Sequence, residues 1–147
     1  MVWYLKRVLW LGFALLVAAQ VVRVDRTNPP LEQDVAAPPE VDVVLRRACY
    51  DCHSNETVWP WYSDVAPLSW FLARDVREGR RELNFSTWNA YDAKKKAKKL
   101  KETAEEVAEG EMPPWFYVAA HRHAALSPAD AERLRAWTAE ELAKSGR

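Results

Sequence analysis

The chain opens on an apolar stretch and then changes character twice. From Val8 to Val22 the apolar run is broken only by Gln20. At about 15 residues it is short for a membrane span and long for a signal-peptide core. Adding Val2 to Leu5 gives about 21 residues, provided Lys6 and Arg7 reach back to the headgroups. Trp3, Tyr4 and Trp10 then fall near an interface. Residues 1–22 therefore read as a transmembrane anchor, or as a cleaved signal with Val17 and Ala19 at the small-residue positions. Either sends the rest of the chain toward export. Lys6 and Arg7 on one side face Arg23 and Arg26 on the other, so charge gives little guide to orientation.

Residues 23–39 contain Pro29, Pro30, Pro38 and Pro39 and read as a proline-rich linker. Extended, it reaches about 50 Å. It equally suits a path along the domain that follows.

From residue 40 onward the apolar positions keep helical spacing, with no strand-like alternation. Val41, Val44, Leu45, Ala48 and Cys52 share one face behind Pro39 and Glu40. A second helix is expected from near Pro67 to around Gly79. A third carries Ala93, Ala97, Leu100, Ala104, Val107 and Ala108, with Gly110 as its stop. A fourth begins at Ser127-Pro128 with Asp130 in its first turn, and its stripe is Leu134, Trp137 and Leu142. The pattern predicts an all-α domain over 40–147, with about four helices and long aromatic loops. Trp137 is placed to pack the last helix against the first.

Composition narrows the function. Lysine plus arginine equal aspartate plus glutamate at 21 each, which gives no general pull toward nucleic acid. The 147 residues include 8 tryptophans and only 4 glycines. So many indoles suit packing around a large flat ligand, or an interface.

Both cysteines lie in "RRACYDCHSN", at Cys49 and Cys52, and His53 follows directly. On a helical turn the three project from one face. Two thiols so placed can add to the two vinyl groups along one edge of a porphyrin, while the next residue puts an imidazole under the iron. Cys-x-x-Cys-His is the c-type haem attachment signature. The alternatives fit less well. Zinc needs four ligands; only two cysteines exist, and His121 or His123 could assist only at an odd spacing. A thioredoxin-like pair belongs in a βαβ setting. A disulfide across two residues is strained.

A second iron ligand is expected at Met112, in "EGEMPPWFY". It lies 59 residues (112 − 53) beyond His53, enough chain to reach the other haem face. Pro113 and Pro114 stiffen its loop, and a residue before proline is driven to extended backbone. Histidine with methionine raises the reduction potential relative to two histidines. Met112 also suits a core filler beside haem, and His121 and His123 are alternative ligands.

"CYDCHSNETVWPWYSDVAPLSWFLARDVREGRRELNFSTW" and "GEMPPWFYVAAHRHAALS", with "RTNPP" after the apolar run, resemble the bacterial haem-binding domain family, whose members are similar to small monohaem c-type cytochromes. The likeness spans about residues 27–137. It implies one haem c held covalently by Cys49 and Cys52, His53 as axial ligand, and Met112 matching the family's MPP element. His121 falls on a family-like position in "HxxAxLS". The resemblance supplies no physiological role.

Trp59, Trp61, Tyr62 and Trp70 follow the attachment motif, and Trp115, Phe116 and Tyr117 follow Met112. Trp59, Trp61, Tyr62 and Trp115 are the candidate haem-pocket aromatics. Their rings exclude water, and their N–H and O–H groups are suited to propionates. The segment "KKKAKKLKETAEEVAEGE" puts lysines first and glutamates last, against the helix dipole. That pattern suits a solvated face, or a basic dock for an acidic redox partner assisted by Arg74, Arg77, Arg80 and Arg81. The resulting expectation is a membrane-anchored monohaem carrier of single electrons. It would sit at a bacterial inner membrane and face the periplasm, with haem and an unknown redox partner but no nucleic acid. A haem-based sensor whose Met112 leaves the iron is the alternative. An enzyme such as a peroxidase is the least favoured, because no distal acid–base constellation is visible in the sequence.

Overall fold

The computed structural model describes residues 1–145, and these contain helices and no strand. The expected all-α class is therefore what the chain adopts. Helix α1 spans Val2–Ala19 and every one of its residues but the last is exposed. At 1.5 Å per residue it is about 27 Å long, close to a hydrocarbon core of about 30 Å. Its mean hydropathy is 1.5, so it is long and apolar enough to cross a membrane.

The domain is built on α2 (Pro39–Ala48), α4 (Leu68–Glu82), α5 (Ala93–Glu109) and α7 (Pro128–Ser145), with two short α-helical segments, α3 (Tyr50–His53) and α6 (Trp115–Ala120). These four longer helices are the four that the spacing predicts. Helix α5 packs along α7, α2 meets α7, and α3 packs on α4. One apolar cluster joins Val41, Val44 and Leu45 of α2 to Leu100 of α5 and to Leu134 and Trp137 of α7. Trp137 thus packs the last helix against the first helix of the domain.

The helix ends have identifiable causes. Asp92 caps α5 by accepting from the Lys95 N–H at 2.7 Å. Gly110 ends it in the left-handed region at φ 76°, where glycine carries no Cβ penalty. Ser127 Oγ accepts from the Asp130 N–H at 3.1 Å, and Asp130 Oδ2 accepts from the Ser127 N–H at 3.0 Å. That reciprocal pair fixes the start of α7.

Helix α4 departs from the sequence expectation. It passes through Gly79 and continues to Glu82. Gly79 is interior because its face is pressed on the cysteine turn: a Cβ built there lies 2.6 Å from the Cys52 carbonyl oxygen. Close approach of two backbones outweighs the roughly 1 kcal/mol that glycine costs inside a helix.

The proline-rich segment lies along the domain. The Gln33 N–H donates to Ser86 O at 3.1 Å, the Val35 N–H donates to Phe85 O at 3.0 Å, and Val35 is buried. Arg80 reaches back from α4 to the carbonyl of Thr27 (3.1 Å) and Asn28 Oδ1 (2.7 Å).

Candidate functional site

The turn bearing the cysteines is made by a break in the helix. Helix α2 ends at Cys49, whose φ of −122° leaves the helical range, and α3 restarts at Tyr50. The Cys52 and His53 N–H groups both donate to Cys49 O, at 3.2 and 2.9 Å. Cys49, Cys52 and His53 therefore share a single helical turn. Both cysteines are free thiols. Burial, then the nearby Cys52, pushes the Cys49 pKa up to about 12. Burial, with the carboxylates of Asp51 and Asp75, does the same to Cys52. Neither sulfur is a ready thiolate, which disfavours a redox pair or an exposed nucleophile.

His53 is held by backbone. Its Nδ1 lies 3.0 Å from Gly79 O and 3.1 Å from Leu83 O. Both neighbours only accept, so Nδ1 carries the proton and donates, and Nε2 keeps its lone pair. Burial pulls the imidazole pKa below its ordinary 6.5 and favours the neutral ring. A neutral imidazole with Nδ1 anchored and Nε2 available is the state a metal ligand requires.

The exit from this turn is fixed by a buried polar network that the sequence reading missed. Ser54 Oγ donates to Tyr50 O at 2.7 Å and accepts from the Glu56 N–H at 2.9 Å. The Asn55 N–H donates to Ser86 Oγ at 3.0 Å, and Asn84 Nδ2 donates to Asn55 Oδ1 at 2.8 Å. Ser54, Asn55, Asn84 and Ser86 are all buried. In sequence they look like ordinary loop residues, and nothing but their distant pairing marks them. Gly79 is visible in the sequence as the expected end of its helix, but not as the point where the helix presses on the cysteine turn.

Beside Cys52 is a small cleft lined by Val58 and Pro60, by Leu72 and Val76 of α4, and by Tyr117 and His121. Tyr117 Oη donates to Asp51 Oδ2 at 2.5 Å, and burial together with that bond raises the tyrosine pKa. The Tyr62 hydroxyl is 3.1 Å from His121 Nε2, and the Tyr117 and His121 rings stack at 4.4 Å. Among the described residues, no three histidine, cysteine or acidic side chains gather as a metal cage. A zinc site would therefore lack its further ligands.

The candidate residues are spread around this centre. Tyr62 is half-buried and joined to the cleft through His121. Trp59 lies between the cleft residues Val58 and Pro60, and its Nε1 is buried without a partner. Trp61 and Trp115 are 80% and 81% exposed. Met112 is half-buried in the α5–α6 connection, where its N–H donates to Glu106 O at 3.2 Å. It is not among the residues that line the cleft, whereas Tyr117 and His121, which follow it in the chain, are.

A helical domain that presents two neutral thiols and an anchored imidazole on one turn has the donor set of a haem protein. The sequence profile of the haem-binding domain family matches residues 14–140, and the chain belongs to that family. No curated protein and no solved structure matches it. The residues fit the group the family is named for. His53 Nε2 has its lone pair available for iron, both thiols are uncommitted, and the orphaned indole N–H of Trp59 is a donor in want of an acceptor such as a propionate.

Proposed function

We propose that this protein is a membrane-anchored, monohaem c-type cytochrome-like carrier of single electrons, facing the periplasm from a bacterial inner membrane. The observation that supports it best is the double carbonyl contact of His53 Nδ1 on the same turn as two free thiols. Cys49 and Cys52 hold the cofactor, each S–H adding across one vinyl group to form a thioether. His53 Nε2 would bind the iron, and Met112 would be its second ligand from the protein. The group itself contributes a one-electron iron couple. The protein's part is to fix the imidazole, to exclude water with Leu72, Val76 and Tyr117, and to offer Trp59 Nε1 as a hydrogen-bond donor. With both axial positions filled there is no site for a substrate, so the protein acts as a carrier and not as an enzyme.

A second reading is a haem-based sensor in which Met112 is labile. It is favoured by one observation: Tyr117 and His121 line the cleft beside Cys52, and Met112 does not. Exposure of the reduced holoprotein to carbon monoxide separates the two. The carrier keeps its reduced spectrum unchanged over minutes. A rapid conversion to the carbon monoxide form overturns the carrier and supports the sensor.

The anchor reading rests on the length and apolarity of α1, and the contacts just past its end hold the chain that follows it against the domain. Gln20 bonds both the N–H and the carbonyl of Ala66, and Trp70 Nε1 bonds Val22 O.

A further inference from the structure

The start of α4 carries an apolar surface that the haem site does not use. Leu68 and Phe71 are 54% and 53% exposed, and Val65 and Trp70 are also exposed. Leu68 and Phe71 lie at i and i+3, neighbours on one side of the helix. Val76 and Gly79, further along, serve the cysteine turn instead. On helical spacing Phe71 lies well away from that side, Leu68 shares its stripe but stands about two turns before Val76, and Trp70 faces away from Leu68 toward Val22. Large apolar side chains grouped in this way call for a covering partner.

The end of α1 identifies it. Gln20, the residue after α1, donates to Ala66 O at 3.1 Å and accepts from the Ala66 N–H at 3.0 Å. Trp70 Nε1 donates to Val22 O at 3.2 Å. The point where the apolar helix ends is therefore in hydrogen-bond contact with the stretch that bears Val65, Leu68 and Phe71. The segment that follows gives no slack. Arg26 bonds Ser63 at 2.9 Å and pairs with Asp64, and Arg80 holds Thr27 and Asn28. Just behind the apolar tips, the Arg74 guanidinium sits 5.6 Å from the centre of the Phe71 ring and also pairs with Asp75. Aromatic and aliphatic tips with an arginine behind them make up an interfacial segment.

We infer that Val65, Leu68 and Phe71 form a platform that rests in the headgroup region of the bilayer crossed by α1, so that the haem domain is held in one orientation on the membrane and does not swing on a tether. This rests on the reading of α1 as an uncleaved anchor. The occupant is the lipid surface. A second copy of the chain and the haem edge are the competing covers.

Photo-crosslinking of the full-length holoprotein tests it, in vesicles of phosphatidylethanolamine with a minority of phosphatidylglycerol. A diazirine amino acid is placed singly at Leu68, Phe71, Leu9 in α1, or exposed Lys101 in α5, and adducts are identified by mass. The expected result is phospholipid on positions 68 and 71, several-fold above position 101, together with phospholipid on position 9. Lipid at position 9 but only background at 68 and 71 leaves the anchor standing and overturns the platform. No lipid at position 9 overturns the anchor, and the platform with it. Adducts from 68 and 71 to another copy of the protein, or to haem, show that face covered by something else and overturn the inference.

Discussion

Two residues in contact with the cysteine turn or its supports show how tightly local geometry is set. Gly79 has no room for a methyl group, because the Cys52 carbonyl oxygen stands 2.6 Å from where its Cβ would be. Gly79→Ala must move α4 or the turn, at a cost of about 1–3 kcal/mol. Urea unfolding of the holoprotein measures that loss, and the same change is expected to lower the yield of holoprotein. Asp130 behaves differently. Its hydrogen bonds from Ser127, followed by its link to Arg47, bring its carboxyl pKa down from the ordinary 3.8 to about 2. A carboxylate with a depressed folded pKa stabilises the fold fully above its unfolded value near 3.8, and that contribution is lost as pH falls toward about 2. Asp130→Asn is expected to cost about 1 kcal/mol at neutral pH through the weakened cap. It should also flatten the acid limb of a stability–pH curve between pH 4 and 2, where an unchanged limb contradicts the assignment.

At the scale of elements, α5 is a helix written against its own dipole. It has no acidic residue in its first turn and no basic one in its last. The pairs Lys98–Glu102 and Lys101–Glu105 form at 3.4 and 3.6 Å between largely exposed side chains, where they contribute little. Lys94→Glu is therefore expected to stabilise the domain by about 0.3–1 kcal/mol, read as a shift in the urea midpoint. If the lysines serve a docking surface, the same change slows reduction by an acidic partner at low ionic strength and not at high. Such a surface does not include Arg80, which the sequence groups with Arg74, Arg77 and Arg81. Its side chain turns inward to Ser54 O, Thr27 O, Asn28 Oδ1 and Thr57 Oγ1.

The elements also mark the limit of what periodicity reveals. Helices α2, α5 and α7 are legible because each buries one stripe on a common core, and α4 because it buries Ser69, Ala73 and Val76 on one face packed toward the cysteine turn. The ends at Gly110 and Ser127 are legible because they are local chemistry; the cap at Asp92 is equally local, although the sequence reading misses it. Phe85 and Trp88 are not, although both are buried in the main core. They sit in an irregular segment where no helical or strand period operates. The anchor on His53 is hidden for a related reason, since two backbone carbonyls provide it and carbonyls leave no trace in sequence.

At the scale of the whole molecule, the proline-rich segment is part of the domain's wall. Arg80→Met removes its clamps on Thr27, Asn28, Ser54 and Thr57 while keeping most of the apolar stem. The expected outcome is faster cleavage by limited proteolysis between residues 23 and 37, with the haem domain beyond still resistant. Equal rates in the two proteins contradict the clamp. The same scale joins the apolar helix to the cysteine turn, because α4 meets the chain just past α1 at Trp70 and, with Leu83 at its end, bonds His53 through Gly79. On the proposed function, that one helix would link the membrane attachment to the iron ligand.

The central claim is that Cys49 and Cys52 bind haem covalently and His53 ligates its iron. The most direct measurement is the alkaline pyridine spectrum of protein matured in a periplasm competent for c-type cytochromes, taken with the intact mass of the chain. The account predicts a c-type pyridine spectrum with one haem added to the chain mass, and loss of both on changing Cys49 and Cys52 to alanine. Haem that is extracted by acidified solvent, or a chain mass without haem, contradicts it.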